Sequence, residues 1–272
     1  MKVSIVTISY NQGRFLEQCI QSVLQQSYPD IEYIVVDPGS TDGSREIVQK
    51  YSNRISKIIL EPDNGPADGL NKGFQSASGD IYGYLNSDDY LLPTAVSKMV
   101  NAFHKKTVTD VISAHGFVVD GQGSILHREF SWPFSLKSYV AGCGTVMQQA
   151  TFFRADIFRQ TQGFNITNTT CWDGELMVEM ALKGAEFALL NQFIACFRIH
   201  PGSISGSARL QQEFIKTVEQ IISRIDIYPP TKLLRMLYMA NRLKNPYALF
   251  WRVLDEIIHF GGRRLTRKGI KK

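Results

Sequence analysis

Short β-branched runs alternate with amphipathic helical segments through the first third of this chain, and that rhythm limits the folds open to it. "VSIVTI" (3–8), "IEYIVVD" (31–37), "SKIILEPD" (56–63) and "DIYGYLN" (80–86) each read as a buried strand. Between them, "GRFLEQCIQSVLQQSY" carries Phe15, Leu16, Cys19, Ile20, Val23 and Leu24 at helical spacing. "STDGSREIVQKY" opens with capping residues, and "GPADGLNKGFQSAS" is a helix weakened by glycine. Strand and helix in alternation predict an open, mostly parallel, Rossmann-like α/β sheet flanked by helices. Ligands of such a sheet bind beyond the carboxyl ends of its strands.

Those ends are 7–11, 37–42, 61–64 and 86–89, and three of the four are acidic. "YLNSDDYLLP" (84–93) places Asp88 beside Asp89 where a strand leaves the core, although like charges repel and raise each other's pKa. A bound cation would relieve this, and a hard divalent ion takes oxygen ligands and bridges to phosphate. The simpler role is to cap the helix expected near Pro93. After the first strand stands "SYNQG" instead of GxGxxG; GxxxxGK[ST] and GxSxG are missing too. Dinucleotide, P-loop and hydrolase-elbow chemistry are therefore not indicated.

The second half has a different texture. "VTDVISAHGFVVDGQGSILHREF" reads as two strands turning at 120–123. "ATFFRADIF" and "DGELMVEMALKG" are expected helices, and "FALLNQFIACFRIH" a strand. From Ser207 onward the pattern is helical, with Phe214, Val218, Ile221, Ile222 and Ile225 on one face and a second amphipathic helix over 247–260. The last twelve residues hold six basic side chains and no acid; removing those six takes the formal charge from +5 to −1. Basicity concentrated in a tail beside an amphipathic helix predicts contact with an anionic membrane surface, with a solvated end as the alternative. Nucleic acid is not expected as a partner.

No apolar run approaches the ~20 residues of a membrane helix. "VSIVTI" is too short for a signal peptide, and the four cysteines show no CxxC pairing. A cytoplasmic protein with reduced core thiols is expected, peripheral on the inner face of the membrane if the tail binds lipid. On that basis Asn165-Ile-Thr and Asn168-Thr-Thr are accidental matches to the glycosylation pattern.

"VSIVTISYNQGRFLEQCIQSVLQQSYPDIEYIVVDPGSTDGS" and "EPDNGPADGLNKGFQSASGDIYGYLNSDD" closely resemble the opening of family 2 glycosyltransferases with the GT-A fold. The resemblance runs from residue 1 to about 205, and its first hundred residues carry several motifs in the family's order. It implies a nucleotide-binding half (1–100), an acceptor half (101–206) and a C-terminal helical extension (207–272). It also implies a nucleotide-diphosphate sugar donor, Mn2+ or Mg2+, and a glycan or lipid-linked acceptor of the kind used in bacterial surface polysaccharide. Thr7, Tyr10 and Asp37 fall on nucleotide-pocket positions, with Asp37 on the base. Asn86, Ser87 and Asp88 span the DxD-type element; its first acid is an amide here, and Asp88 holds the metal position with Asp89 beside it. Asp63 and Asp68 follow the third strand, either as ligand contacts or as turn and helix-start residues. Pro38 replaces an Asp of the usual "VDDGS" and removes an N–H. Asp173 falls on the general-base position, His200 on a loop that closes over the diphosphate, and Gln148, Gln149, Trp132 and Trp172 toward the acceptor. The expected reaction is an inverting single displacement with Asp173 as base. A non-catalytic GT-A-like binding module and a nucleotidyltransferase are the other readings.

Overall fold

The computed structural model describes residues 1–143, 146–203 and 210–227, with 236, 247 and 250 as single positions. Its first four strands are those the sequence predicts: β1 (Val3–Ile8), β2 (Ile31–Val36), β3 (Lys57–Ile59) and β4 (Ile81–Asn86). They pair in parallel in the order β3-β2-β1-β4, with Ile5 opposite Tyr33 on one side and Gly83 on the other. The helices α1 (Gly13–Leu24), α2 (Ser44–Lys50) and α3 (Pro66–Gln75) form the crossovers. Alternation along the strands sends side chains to opposite faces. Ile5, Tyr33 and Val35 join α1 and α4 (Ala95–Lys105) in one core, while Val6, Ile34 and Val36 join α3 in another. The glycine inside α3 has a packing reason. A Cβ at Gly73 would come within 2.4 Å of Val6, so glycine lets the helix lie close on β1.

Beyond β4 the sheet becomes mixed. β5 (Tyr90–Leu91) pairs antiparallel with β9 (Phe187–Arg198); β6 (Val111–Val119) runs parallel to β9 and antiparallel to β7 (Ile125–Glu129). β8 (Thr151–Arg154) lies between β4 and β6, antiparallel to both. This corrects the helix expected over "ATFFRADIF". Only Ala155–Arg159 is helical (α6), because Phe152 and Phe153 fill a slot with strands on either side, where aromatic residues pack well. α5 (Leu136–Val140), α7 (Trp172–Leu182) and α8 (Gln211–Ser223) complete the described helices. α8 seats Ile221 against the second core and leaves Phe214 46% exposed. Of the helix expected over 247–260 only positions 247 and 250 are described, and the basic tail lies outside the described residues. No described helix is long and apolar enough to cross a membrane. All four cysteines are buried.

Candidate active site

The loops after β1 and β2 are fastened together. Asn11 takes a positive φ of 53°, which Asn tolerates better than most side chains. Its backbone N–H donates to Ser40 Oγ (2.8 Å), and its Oδ1 accepts from the Thr41 N–H (2.9 Å). The Gly13 N–H donates to Asp42 Oδ2 (2.8 Å). Tyr10 stands between these ties, 63% exposed. Asp37 is wholly buried, and its Oδ1 accepts from the N–H groups of Gly39 and Ser40 and from Arg45 Nε. Pro38 therefore removes an N–H that the turn does not use. Asp37 Oδ2 and, at the end of the adjoining strand, Ser9 Oγ are buried without a partner. Unpaired buried acceptors are costly, and their place at two neighbouring strand ends suits a ligand that donates hydrogen bonds. Thr7 requires a correction. It is fully buried, its hydroxyl accepting from Tyr33 Oη (3.0 Å), so it supports the loop from beneath instead of lining a pocket.

The paired acids divide the work between them. Asp89 is 1% exposed; Oδ1 accepts from the Arg198 N–H and Oδ2 from Gln149 Nε2, both at 2.8 Å. Burial, and then the neighbouring Asp88 charge, push its carboxyl well above the usual range. Asp89 is thus an internal anchor, which corrects its expected role as a metal ligand. Gln149 is committed to it and does not face an acceptor. Asp88 turns outward instead, with Oδ2 3.1 Å from His200 Nε2. His200 Nδ1 accepts from the Gly202 N–H (3.2 Å), so the proton belongs on Nε2 and is donated to Asp88. Neither acid caps α4; Thr94 at its N-cap makes no side-chain cap, and the Val96 N–H in the first turn donates to Gln26 Oε1 (3.1 Å). Asn86 ends β4 and its carbonyl accepts from the Asp89 N–H, while the buried Ser87 donates its N–H to Ile8.

Arg198, which the sequence reading passed over, is the cation beside these acids. It is 2% exposed, and its Nε donates to the Asp88 carbonyl (2.8 Å), Nη1 to the Asp120 carbonyl (3.1 Å) and Nη2 to Gln18 Oε1 (2.5 Å). Its guanidinium lies over Phe15 and Tyr90, and Phe15 also packs on the His200 ring. An arginine closing the apolar strand "FALLNQFIACFR" was the available signal, because a buried cation must find acceptors.

Asp173 opens α7 and lines a cavity of about 370 Å³ with Tyr84, Gln148, Phe153 and Met177. Burial raises its carboxyl above the ordinary range, opposed in part by the Gly174 and Asp173 N–H groups. Tyr84 is pushed up in turn by burial and by Asp173. Gln148 donates to the Tyr84 carbonyl (2.8 Å) and is the glutamine that faces this cavity. Trp172 and Trp132 are both buried in core clusters, so neither is a stacking platform at a sugar site. Glu175 is buried among donors from Asn165, Asn168 (2.7 Å) and Arg224 (2.6 Å). That set of partners leaves it no lone pair for a substrate and occupies both asparagines of the glycosylation-like triplets. Asp68 accepts from the Asn64 N–H and amide and pairs with Lys72, which is its helix-start role; those N–H bonds hold its carboxyl low. Asp63 accepts from the Gly65 N–H, and burial pushes its carboxyl up.

Among the described residues no three metal-ligating side chains converge. Asp88 and His200 form a two-donor set at the site's rim. This fits a divalent ion that draws its other ligands from phosphate and water.

The family model of Glycosyl transferase family 2 matches residues 4–168. The putative teichuronic acid biosynthesis glycosyltransferase TuaG of Bacillus subtilis is 30% identical over 214 residues, covering 75% of this chain and 82% of that protein. The chondroitin synthase of Escherichia coli is 25% identical over 231 residues, or 83% of this chain. The chain spans only 33% of that synthase's length and 40% of another curated relative's. Among solved structures, S. aureus TarS 1–349 in complex with UDP-GlcNAc superposes with a TM-score of 0.66 at 20% identity, over 89% of this chain and 72% of that one. Mannosyltransferase PcManGT from Pyrobaculum calidifontis, in complex with GDP-Man and Mn2+, gives 0.62 at 16% identity over 96% and 75%. With the match spanning strands β1 to β4 and the loops that carry Asp37, Asp88 and Asp89, the chain belongs to glycosyl transferase family 2 and has the GT-A fold.

Proposed function

We propose that the protein is an inverting glycosyltransferase that moves a sugar from a nucleotide-diphosphate donor to an acceptor hydroxyl in bacterial surface polysaccharide synthesis. One juxtaposition carries this reading. Asp88 faces His200 where β4 and β9 end, while Asp173 lines a cavity whose wall includes Tyr84, four residues upstream of Asp88 on β4. Tyr10 is exposed to stack on a base, and Asp37 Oδ2 with Ser9 Oγ can accept from its donors or from ribose. Asn86 is placed to bond a ribose hydroxyl. Asp88 and His200 would hold Mn2+ or Mg2+; for Nε2 to ligate, the ring proton would move to Nδ1 and the bond from the Gly202 N–H would be given up. Such an ion, when bound, neutralises charge on the departing diphosphate. Asp173 accepts the proton of the acceptor hydroxyl as that oxygen attacks the anomeric carbon from the face opposite the diphosphate. One displacement with one base inverts the centre. The nucleotide sugars bound by TarS and PcManGT support the donor class, and the names of TuaG and the chondroitin synthase support a polysaccharide product. The halves 1–100 and 101–206 are read as donor and acceptor sides of one domain.

Calorimetry with UDP and GDP, with and without Mn2+, tests this. Asp88→Ala is expected to abolish any manganese-dependent gain in affinity, whereas Asp89→Ala is expected to lower the melting temperature first, since it leaves two buried donors unpaired. Full metal-dependent affinity in Asp88→Ala would remove Asp88 from the metal site.

The acceptor is read as a glycan or lipid-linked glycan, and the basic residues after 260 as a contact for the anionic inner leaflet. Each basic residue at such a surface contributes ~1 kcal/mol, so removing 261–272 is expected to lower flotation with anionic vesicles and leave neutral vesicles unaffected. Equal flotation of both chains would refute the contact.

A further inference from the structure

The cavity at Asp173 is unlike a sugar site in its chemistry. A pyranose ring carries hydroxyls all round, and each one buried without a partner is costly. Here the walls are largely hydrocarbon and aromatic. Phe134 and Phe153 line it, with Leu176, Met177 and Met180 from α7 and Phe214 and Val218 from α8. Among the described lining residues Asp173 is the only carboxylate and Gln148, itself tied to the Tyr84 carbonyl, the only amide; Tyr84, Tyr139 and Thr151 add hydroxyls. The volume, about 370 Å³, lies within the range of small-molecule sites. The methionines give it an adaptable wall of the kind that suits a flexible hydrocarbon. Phe214, 46% exposed although it lines the cavity, stands at its mouth.

We propose that this cavity takes the apolar body of an amphiphilic acceptor, so that the hydroxyl carried next to that body meets Asp173. The proposal rests on the transferase reading above and narrows it. Of the acceptor classes that reading allows, it selects one whose hydrocarbon or aromatic part is itself bound by the enzyme. The continuity of the cavity with the proposed base carries the assignment, because any molecule seated among Leu176, Met177 and Phe153 lies beside the Asp173 carboxyl.

Titration calorimetry on the full chain compares octyl β-glucoside, kept below its micelle concentration, with methyl β-glucoside. Each buried methylene is worth about a fourfold gain in affinity, so burying only two gives the octyl glycoside an advantage of about fifteenfold. Phe214→Asp charges the mouth at a half-exposed position and is expected to erase that advantage. Val108→Asp charges an exposed apolar residue that does not line the cavity and is expected to preserve it. Equal affinity for the two glycosides overturns the proposal, and so does an octyl advantage that survives Phe214→Asp. The UDP and GDP titrations separate the two layers. Nucleotide binding without an octyl advantage overturns only this proposal. An octyl advantage without nucleotide binding overturns the transferase reading, and the acceptor role with it.

Discussion

Asp173→Asn is expected to bind nucleoside diphosphate as the parent does and to transfer sugar at least about a hundredfold more slowly, the usual contribution of a positioned base. The amide has the carboxylate's shape but cannot take a proton. Asp173 lines a cavity whose described lining residues include neither Tyr10 nor Asp37, so donor affinity is expected to survive. The pH dependence adds a second readout. Burial raises this carboxyl, and a base must be ionised to act. The acid limb of kcat/KM should therefore lie above the ordinary carboxylate range and vanish in the variant. For stability the sign runs the other way. Between the ordinary and the raised pKa the folded chain holds a proton that the unfolded chain has lost, so stability falls as pH rises through that window. Asp173→Asn has no charge to desolvate and is expected to melt higher than the parent above it. Near-normal turnover would take the base away from the start of α7, because Glu175, two residues on, is saturated by Asn165, Asn168 and Arg224.

Arg198→Ala is expected to cost about 3–5 kcal/mol, the range for removing one partner of a buried charged cluster. Three acceptors lose a donor: the Asp88 carbonyl, Gln18 Oε1 and the Asp120 carbonyl, the last keeping only the Gly123 N–H. The Asp88–Asp89 pair also loses the cation beside it. Arg198→Lys keeps the charge but cannot spread one planar fork over three acceptors, so it is expected to recover only part of the loss. Urea denaturation measures both, and an unchanged m-value identifies the shift as stability. An alanine variant within about 1 kcal/mol of the parent would show that the arginine is not the counter-charge of this site.

The parallel half of the sheet was legible because its information is local. β1, β2 and β4 are β-branched or aromatic runs, and α1 buries five of the six residues its helical spacing selects, with Leu24 partly buried. What escaped depends on partners far away in sequence. Asp88 and Asp89 are chemically equivalent in a string of letters; Arg198 and Gln149, 109 and 60 residues further along, decide which turns inward.

 Trp172 and Thr7 went to the interior for the same reason: a residue type and a strand-end position do not say which way a side chain faces once a helix packs over it. "ATFFRADIF" split into strand and helix because β4 and β6 offered edges on both sides, a fact with no trace in the nine letters themselves.

One sheet runs from β3 through β4 and β8 to β6, β9 and β5, so backbone hydrogen bonds cross the boundary between the two proposed halves. A seam of that kind cannot swing as a hinge without breaking a ladder. Any opening and closing around substrates then falls to surface loops, and the two sides keep a fixed spacing through a catalytic cycle. The same seam bears on engineering. Grafting the second half of a relative onto this donor half would have to transplant β8 together with its neighbours on both sides, because a foreign strand there must match the register of Ile81 with Arg154 and of Val111 with Phe153 at once.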